Sequence, residues 1–248
     1  ITNIIEIGGG YGYLMRDFLQ KNAAIKATML DISPFLVKKQ KQALKDHSVD
    51  YIVEDFLQTD MVGLRDKDMA ILNENLGDFP TLANINKSDL GKTNLEGPLR
   101  KTRDLFDRYS FAEPDTESFN FNIGAIEAVE KLCSAGIPYV FLGEHSCEAT
   151  VPEPYQGIIN VKSTGNPEKI ILKGHHEYTI KFSFLEKVAG AFHYRTMRGL
   201  FADFLKLDFN NRIRSIMVSR FDINDEHEII RQFVEDLYKY EYLILVRP

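Results

Sequence analysis

The chain has 248 residues, 44% hydrophobic and 11% aromatic, enough to bury one substantial core with at most an appended lobe, which excludes a disordered segment. A formal charge of −6 and an isoelectric point near 5.6 supply no global cationic field, so nucleic acid is disfavoured as a substrate. Two cysteines, Cys133 and Cys147, are too few for a disulfide framework and suit a reducing compartment, the cytoplasm, or an organelle matrix after presequence removal, being the expected location; no apolar stretch approaches the roughly 20 residues of a membrane span, and no signal peptide is visible.

The first apolar run, Ile4-Ile5, enters Glu6-Ile-Gly-Gly-Gly-Tyr-Gly12 and emerges into helix-like Tyr13 to Gln20. A strand thus turns through glycines into a helix whose free N–H groups and positive dipole end suit a carboxylate or phosphate. The dinucleotide spacing G-x-G-x-x-G fails, because Tyr13 or Met15 stands where its third glycine belongs. An acid two residues before G-x-G-x-G does fit, with Glu6, Gly8, Gly10 and Gly12, and Gly9 inside the bend.

A second strand, Ala27 to Ile32, ends in Asp31, with Ser33 and Pro34 as N-cap and first residue of the next helix. In a doubly wound sheet that carboxylate can accept hydrogen bonds from both hydroxyls of a ribose. A third strand, Tyr51 to Glu54, leads into Asp55-Phe56, and a fourth, Met69 to Leu72, ends at Asn73-Glu74-Asn-Leu-Gly-Asp78-Phe-Pro80. In this order the four strand ends resemble the class I S-adenosylmethionine-dependent methyltransferases, the glycine turn standing as their motif I. The resemblance implies an α/β fold: a doubly wound, mostly parallel Rossmann-like sheet with helices on both faces and an inserted lid or substrate region. It implies S-adenosyl-L-methionine as cofactor, held by the Glu6–Gly12 turn, Asp31 and Ile32, with Asp55 on the adenine amino group, a backbone contact from Phe56, and Asn73 near the reactive end. Class I enzymes usually carry helices upstream of the first strand, so a natural N-terminal segment is expected to be missing.

The rest of the chain reads as part of the same domain, 1–248. Residues 81–120, rich in Asn, Asp, Lys, Gly and Pro, form a long excursion with a helix from Pro98 to Tyr109 and a basic cluster, Arg100, Lys101 and Arg103. Such excursions serve as lids or as plain surface loops. Helical spacing from Phe121 to Ala135 ends at Gly136, and Pro138 to Leu142 is a fifth strand that brings Glu144 or His145 to the cofactor rim. Lys169–Lys173 and Glu177–Phe182 read as strands, Ser183 and Glu186 as a capping box, Arg195 to Leu207 as a helix, Asp225 as the start of the last helix, and Tyr242–Val246 as a closing strand. Residues 150–210 would shape the acceptor site.

A narrower resemblance links Glu-Ile-Gly-Gly-Gly, Ile32-Ser-Pro-Phe-Leu36 with Gln40 and Leu44, and Asn73-Glu74 with Pro80 to the MidA-like methyltransferases. That family includes mitochondrial complex I assembly factors and methylates protein arginine. Its pattern N-E-x-x-D-A-x-P has Gly77 at the Asp position here, with Asp78 one place later.

The sulfonium methyl of this cofactor is already activated, so the protein must align nucleophile, methyl and sulfur and exclude water. A carboxylate or histidine near the acceptor can take its proton, which makes Glu74 the first candidate, Asp78 and His145 the next, and Asn73 an orienting group. His145, Cys147, His175 and His176 match no usual zinc spacing, so no metal is expected. The leading expectation is methyl transfer to a small molecule or a protein side chain. Its alternative is a cofactor-binding assembly or scaffold factor without transferase activity, and a nucleotide-binding oxidoreductase is disfavoured by the glycine spacing. Acceptor and oligomeric state are not legible.

Overall fold

In the computed structural model, which describes residues 1–204, 209–219 and 225–248, strand and helix alternate from the outset. The first half contains β1 (Asn3–Ile7), α1 (Tyr13–Lys21), β2 (Lys26–Asp31), α2 (Pro34–Ala43), β3 (Val49–Val53) and β4 (Met69–Asn73). Ser33 caps α2 as its sequence position predicts, its hydroxyl accepting from Leu36 N at 3.3 Å, with Pro34 inside the first turn. Next come β5 (Leu82–Asn86), α3 (Lys87–Leu90), α4 (Gly97–Tyr109), β6 (Ser118–Phe121), α5 (Ile123–Ala135) and β7 (Tyr139–His145). The remainder is β8 (Lys169–Ile171), β9 (His176–Tyr178), α6 (Phe182–Ala191), β10 (Arg195–Leu200), α7 (Asn211–Val218), α8 (Asp225–Lys239) and β11 (Tyr240–Val246).

Seven strands make one sheet in the order β10-β11-β7-β4-β1-β2-β3. β11 is antiparallel to both neighbours, and the other pairings are parallel. The chain steps outward from β1 to β3, then returns to place β4 on the other side of β1. That reversal opens a crevice at the carboxyl ends of β1 and β4, where sheets of this kind bind ligands.

Alternating side chains assign the two faces of the sheet. Ile4, Met29 and Ile71 pack with Met15 and Leu19 of α1 and with Leu44 beyond α2. Ile5, Leu30, Leu72 and Leu142 pack on the opposite face with Ile126 and Val129 of α5 and Leu185 and Val188 of α6. Each such fully buried aliphatic side chain contributes about 1.5–3 kcal/mol, so the strand ends rest on a rigid platform.

Several expected elements take another form. Arg195–Leu200 is a strand, because six residues of β11 offer it backbone partners; its apolar spacing fits a helix only by continuing into the short helical turn Phe201–Asp203, and Leu205 and Leu207 lie outside the described residues. Ser183 caps nothing: α6 already starts at Phe182, and the Ser183 N–H and hydroxyl both go to Glu148, at 2.8 and 2.6 Å. The strand expected over 177–182 stops at Tyr178 and forms a separate ribbon with β8. Residues 81–120 are built rather than loose. β5 pairs with β6, and Leu105, Phe106 and Tyr109 of α4 are buried with Phe111, Phe119, Phe121 and Phe184. Arg100, Lys101 and Arg103 each face a carboxylate, Asp104, Glu127 and Asp107 respectively. Among the described residues no helix is long and apolar enough to cross a membrane.

Candidate cofactor and acceptor site

The glycine turn lies on the β1 side of the crevice, and its shape explains its composition. Gly8 and Gly10 hold φ of +64° and +52°. A Cβ on Gly8 would sit 2.4 Å from Asn75 Nδ2, whereas one on Gly10 would meet nothing within 4 Å. Gly8 is therefore fixed by the protein, and Gly10 borders open space that a ligand can use. Gly9 leaves room for Glu6, whose Cδ would be 2.7 Å from an added Cβ. The Glu6 carboxyl is buried beneath the turn with support from Met15 N–H, and burial pushes its pKa up to about 7. Among the described residues its Oε2 has no hydrogen-bond partner. Gly12, also at positive φ, is the N-cap of α1.

At the end of β2, Asp31 is 4% exposed, with Oδ1 accepting from Ser33 N and Oδ2 from Gln40 Nε2, both at 2.9 Å. Burial raises its pKa, and the two hydrogen bonds oppose the rise. A carboxylate has about four lone-pair directions, so two remain for hydroxyl donors. Ile32 and Phe35 beside it are exposed by 68% and 60%, an apolar rim at the mouth of the crevice. Past β3, Asp55 is half-buried and accepts from Leu57 N at 2.9 Å, a turn that leaves its other oxygen available. Phe56 is buried against Phe79, and its carbonyl accepts from Lys131 Nζ at 2.7 Å.

Across the crevice, the segment after β4 is tied to its neighbours by the backbone. Glu74 stands at φ +56°, an uncommon conformation for a residue with a side chain, and its N–H donates to Gly143 O at 2.8 Å. Its side chain is exposed, with Asn73 Nδ2 3.4 Å from Oε1. Asn75, buried, reaches back to the turn, donating from Nδ2 to Ile7 O at 2.5 Å. Glu144 faces this segment: Oε2 accepts from Gly77 N at 3.1 Å and Oε1 from His145 N at 2.8 Å. Burial lifts its pKa to about 8 despite those two donors, with Glu177 and Glu74 adding repulsion. His145 lies one step removed. Its ring stacks on Tyr240 at 5.1 Å and is surrounded by Lys239, Asp236 and Glu168, with burial lowering its pKa.

The deciding observation is the joint order of strand sequence and motifs: β3-β2-β1-β4-β7-β11-β10 with β11 reversed, and a glycine turn opposite a carboxylate at the ends of β1 and β2. The fold is that of a class I methyltransferase. Residues 1–92 match the family model described as "Putative S-adenosyl-L-methionine-dependent methyltransferase". An S-adenosylmethionine-dependent methyltransferase from Mesorhizobium loti aligns over 99% of this chain and 90% of its own, at 10% identity and a TM-score of 0.51. The Haloferax volcanii complex of the Trm112 methyltransferase activator with a "putative methyltransferase" aligns over 100% of this chain and 83% of its own, at 13% identity and a TM-score of 0.51. This chain spans 51% of the length of an O-methyltransferase family protein from Burkholderia thailandensis, with 99% of its own residues aligned, 10% identity and a TM-score of 0.48. No curated protein matches the sequence. The fold read from the sequence is thus borne out, residues 1–92 carry the likeness to that methyltransferase family, and the narrower MidA-like likeness rests on the residues quoted for it.

Within this methyltransferase fold, the family match ends at residue 92 and so contains every expected cofactor residue but none of the acceptor side beyond α3. Gln40, Asn75 and Glu144 complete the crevice, and sequence reasoning gave the first two no role. Gln40 carried a signal: it interrupts the buried stripe that runs from Val37 through Gln40 to Leu44 at the end of α2, where a polar residue needs a partner. Gly77 has a steric reason for departing from the family pattern, since a Cβ there would lie 2.7 Å from Tyr178 O. Cys147 is buried, its thiol pushed up to about 12 by burial, and among the described residues neither it nor His145 joins a group of three side chains that could hold a cation. Instead Asp78, His175 and Glu177 bring one potential ligand atom each within 4.8 Å of one another, with Asp78 and His175 exposed, a group able to contact a cation at the lip of the acceptor side.

Proposed function

We propose that this chain binds S-adenosyl-L-methionine in the crevice between the β1 and β4 turns and transfers its methyl group to a basic nitrogen of a small molecule or protein side chain. The observation that carries the cofactor assignment is Asp31, a buried carboxylate with two acceptor directions left, at the strand end next to a glycine turn whose Gly10 faces open space. Glu6, Gly8, Gly9, Gly10 and Gly12 would hold the amino acid end, Asp31 and Ile32 the ribose, Asp55 and Phe56 the adenine, and Asn73 the edge of the reactive centre. Bound there, the cofactor supplies an electrophilic methyl on a sulfonium.

The acceptor side supports a basic substrate. Glu74, Asp78, Glu144 and Glu177 cluster around the segment after β4; Glu177 has its pKa raised by burial, then by Asp78 and Glu74, with His175 opposing the rise. An amine or guanidine entering there relieves that repulsion, and an exposed Glu74 can take its proton as nitrogen attacks. Asp78 and His145 are the next proton acceptors in line. Two buried free cysteines support a reducing compartment such as the cytoplasm.

Calorimetry with S-adenosylmethionine, S-adenosylhomocysteine and NAD tests the cofactor: binding of NAD in preference to the other two overturns it. Labelled methyl transfer to amine- and arginine-bearing peptides and to small amines then tests the reaction. Binding without transfer to any acceptor favours the assembly-factor reading, which Gly77 at the family's Asp position also favours.

A further inference from the structure

Gln40 is 0% exposed, a polar side chain sealed between helix α2 and the glycine turn. Its Nε2 donates to two acceptors that belong to different strand ends, Gly10 O at 3.0 Å and Asp31 Oδ2 at 2.9 Å. The amide orientation is forced, because rotating it would set a carbonyl oxygen against a carbonyl and a carboxylate. Its own Oε1 is then buried without a hydrogen-bond partner among the described residues. A leucine or methionine would fill an apolar helix stripe at this point without that cost, so the amide has a use that packing does not explain. The α2 backbone is close enough for the link to be stiff: a Cβ on Gly12 would sit 3.3 Å from Gln40 Cα.

We infer that Gln40 is a ribose-positioning residue, a bridge that ties the carboxylate of Asp31 to the carbonyl of Gly10 and so holds the sugar-accepting group in register with the turn that receives the rest of the cofactor. This rests on the cofactor reading above. The carboxylate is pinned at one oxygen by the Ser33 backbone and at the other by Gln40, which fixes its plane and leaves its free lone pairs facing one way. A fixed acceptor discriminates strongly between a ligand that brings hydroxyls and one that lacks them, whereas an acceptor free to rotate loses part of that discrimination.

The test compares affinities of the full chain for S-adenosylhomocysteine and for its analogue lacking both ribose hydroxyls, in the native protein, Gln40→Leu and Gln40→Glu, with circular dichroism and melting as controls of folding. The native protein is expected to prefer the ribose ligand by about tenfold or more. Gln40→Leu is expected to reduce that preference at least about fivefold, through weaker binding of the ribose ligand alone, as a lost positioning contact requires. Gln40→Glu, which keeps the shape if the apolar variant fails to fold, is expected to recover the preference as the pH is lowered and the new carboxyl regains a proton to donate to Asp31. An unchanged preference in a folded Gln40→Leu, equal weakening of both ligands, or a pH-independent preference in Gln40→Glu overturns the assignment. Failure of the native protein to bind S-adenosylhomocysteine at all refutes the cofactor reading instead.

Discussion

The two sides of the crevice are built by different rules. On the proposed cofactor side, residues 1–56, each group facing the crevice sits at or just beyond the end of its own strand, so a few consecutive residues set its position: Gly8–Gly12 after β1, Asp31 at the end of β2, Asp55 after β3. On the acceptor side the groups meet from far apart in the chain. Gly77 touches Tyr178, Glu144 reaches Gly77, and Asp78 faces His175. The first arrangement is a motif and the second is a product of packing, which is why a shared cofactor can be paired with divergent acceptors.

The comparison predicts opposite consequences for substitutions on the two sides. Asp31→Ala removes an acceptor of two charge-assisted hydrogen bonds, each worth about 1.5–3 kcal/mol, so S-adenosylhomocysteine affinity should fall by about a hundredfold or more. Gly10→Val should do similar damage by filling the open space, and should also lower the melting temperature because a β-branched residue is strained at φ +52°; Gly8→Ala, whose Cβ meets Asn75 and whose φ is also positive, should act chiefly on the melting temperature, and calorimetry beside differential scanning reads both. Unaltered affinity in Asp31→Ala would remove the ribose assignment.

Next in size is Glu74→Gln. Turnover should drop about 10²-fold, the usual worth of a proton acceptor, while the dissociation constant of S-adenosylhomocysteine stays within about twofold; equal rates would exclude Glu74 from the reaction. Gly77→Asp should act only on the acceptor side, since its side chain must displace Tyr178 O. A loss of about 1–3 kcal/mol in stability, together with impaired transfer and normal cofactor binding, is expected, and chemical denaturation measures it.

The smallest effect is a pH slope. Glu6 and Glu144 titrate at about 4.5 when unfolded but hold their protons to about 7 and about 8 in the native chain. The native state therefore binds more protons across that window, so their contribution to stability declines as the pH rises from about 4.5 to about 8 and is constant above it. Glu6→Gln and Glu144→Gln should each flatten the curve of melting temperature against pH; a variant curve parallel to the native one would show that the buried carboxyl is ionised throughout.

Legibility follows the same division. The strand ends, the Ser33 cap and the Gly136 helix stop were readable because neighbouring residues decide them. β10 was not: Met197, Leu200, Phe201 and Phe204 carry a helical spacing, and only the β11 backbone, more than forty residues later, makes a strand of the first part. Ser183 likewise looked like a cap until Glu148 claimed it. Gln40 lay in plain view as a polar break in an apolar stripe, and its partners, thirty and nine residues away, gave it meaning.

The reversed strand carries a consequence for synthesis. β11 lies between β7 and β10, both of which leave the ribosome before it does. Until Tyr240–Val246 emerges, β7 exposes an unpaired edge and β10, which pairs in the sheet with β11 alone, has no strand to join, so the nascent sheet ends in an edge that any other extended peptide can enter. The crevice formed by β1 and β4 needs none of this and can assemble early, so a chain stalled before β11 should already possess its glycine turn while remaining an aggregation hazard at the opposite flank.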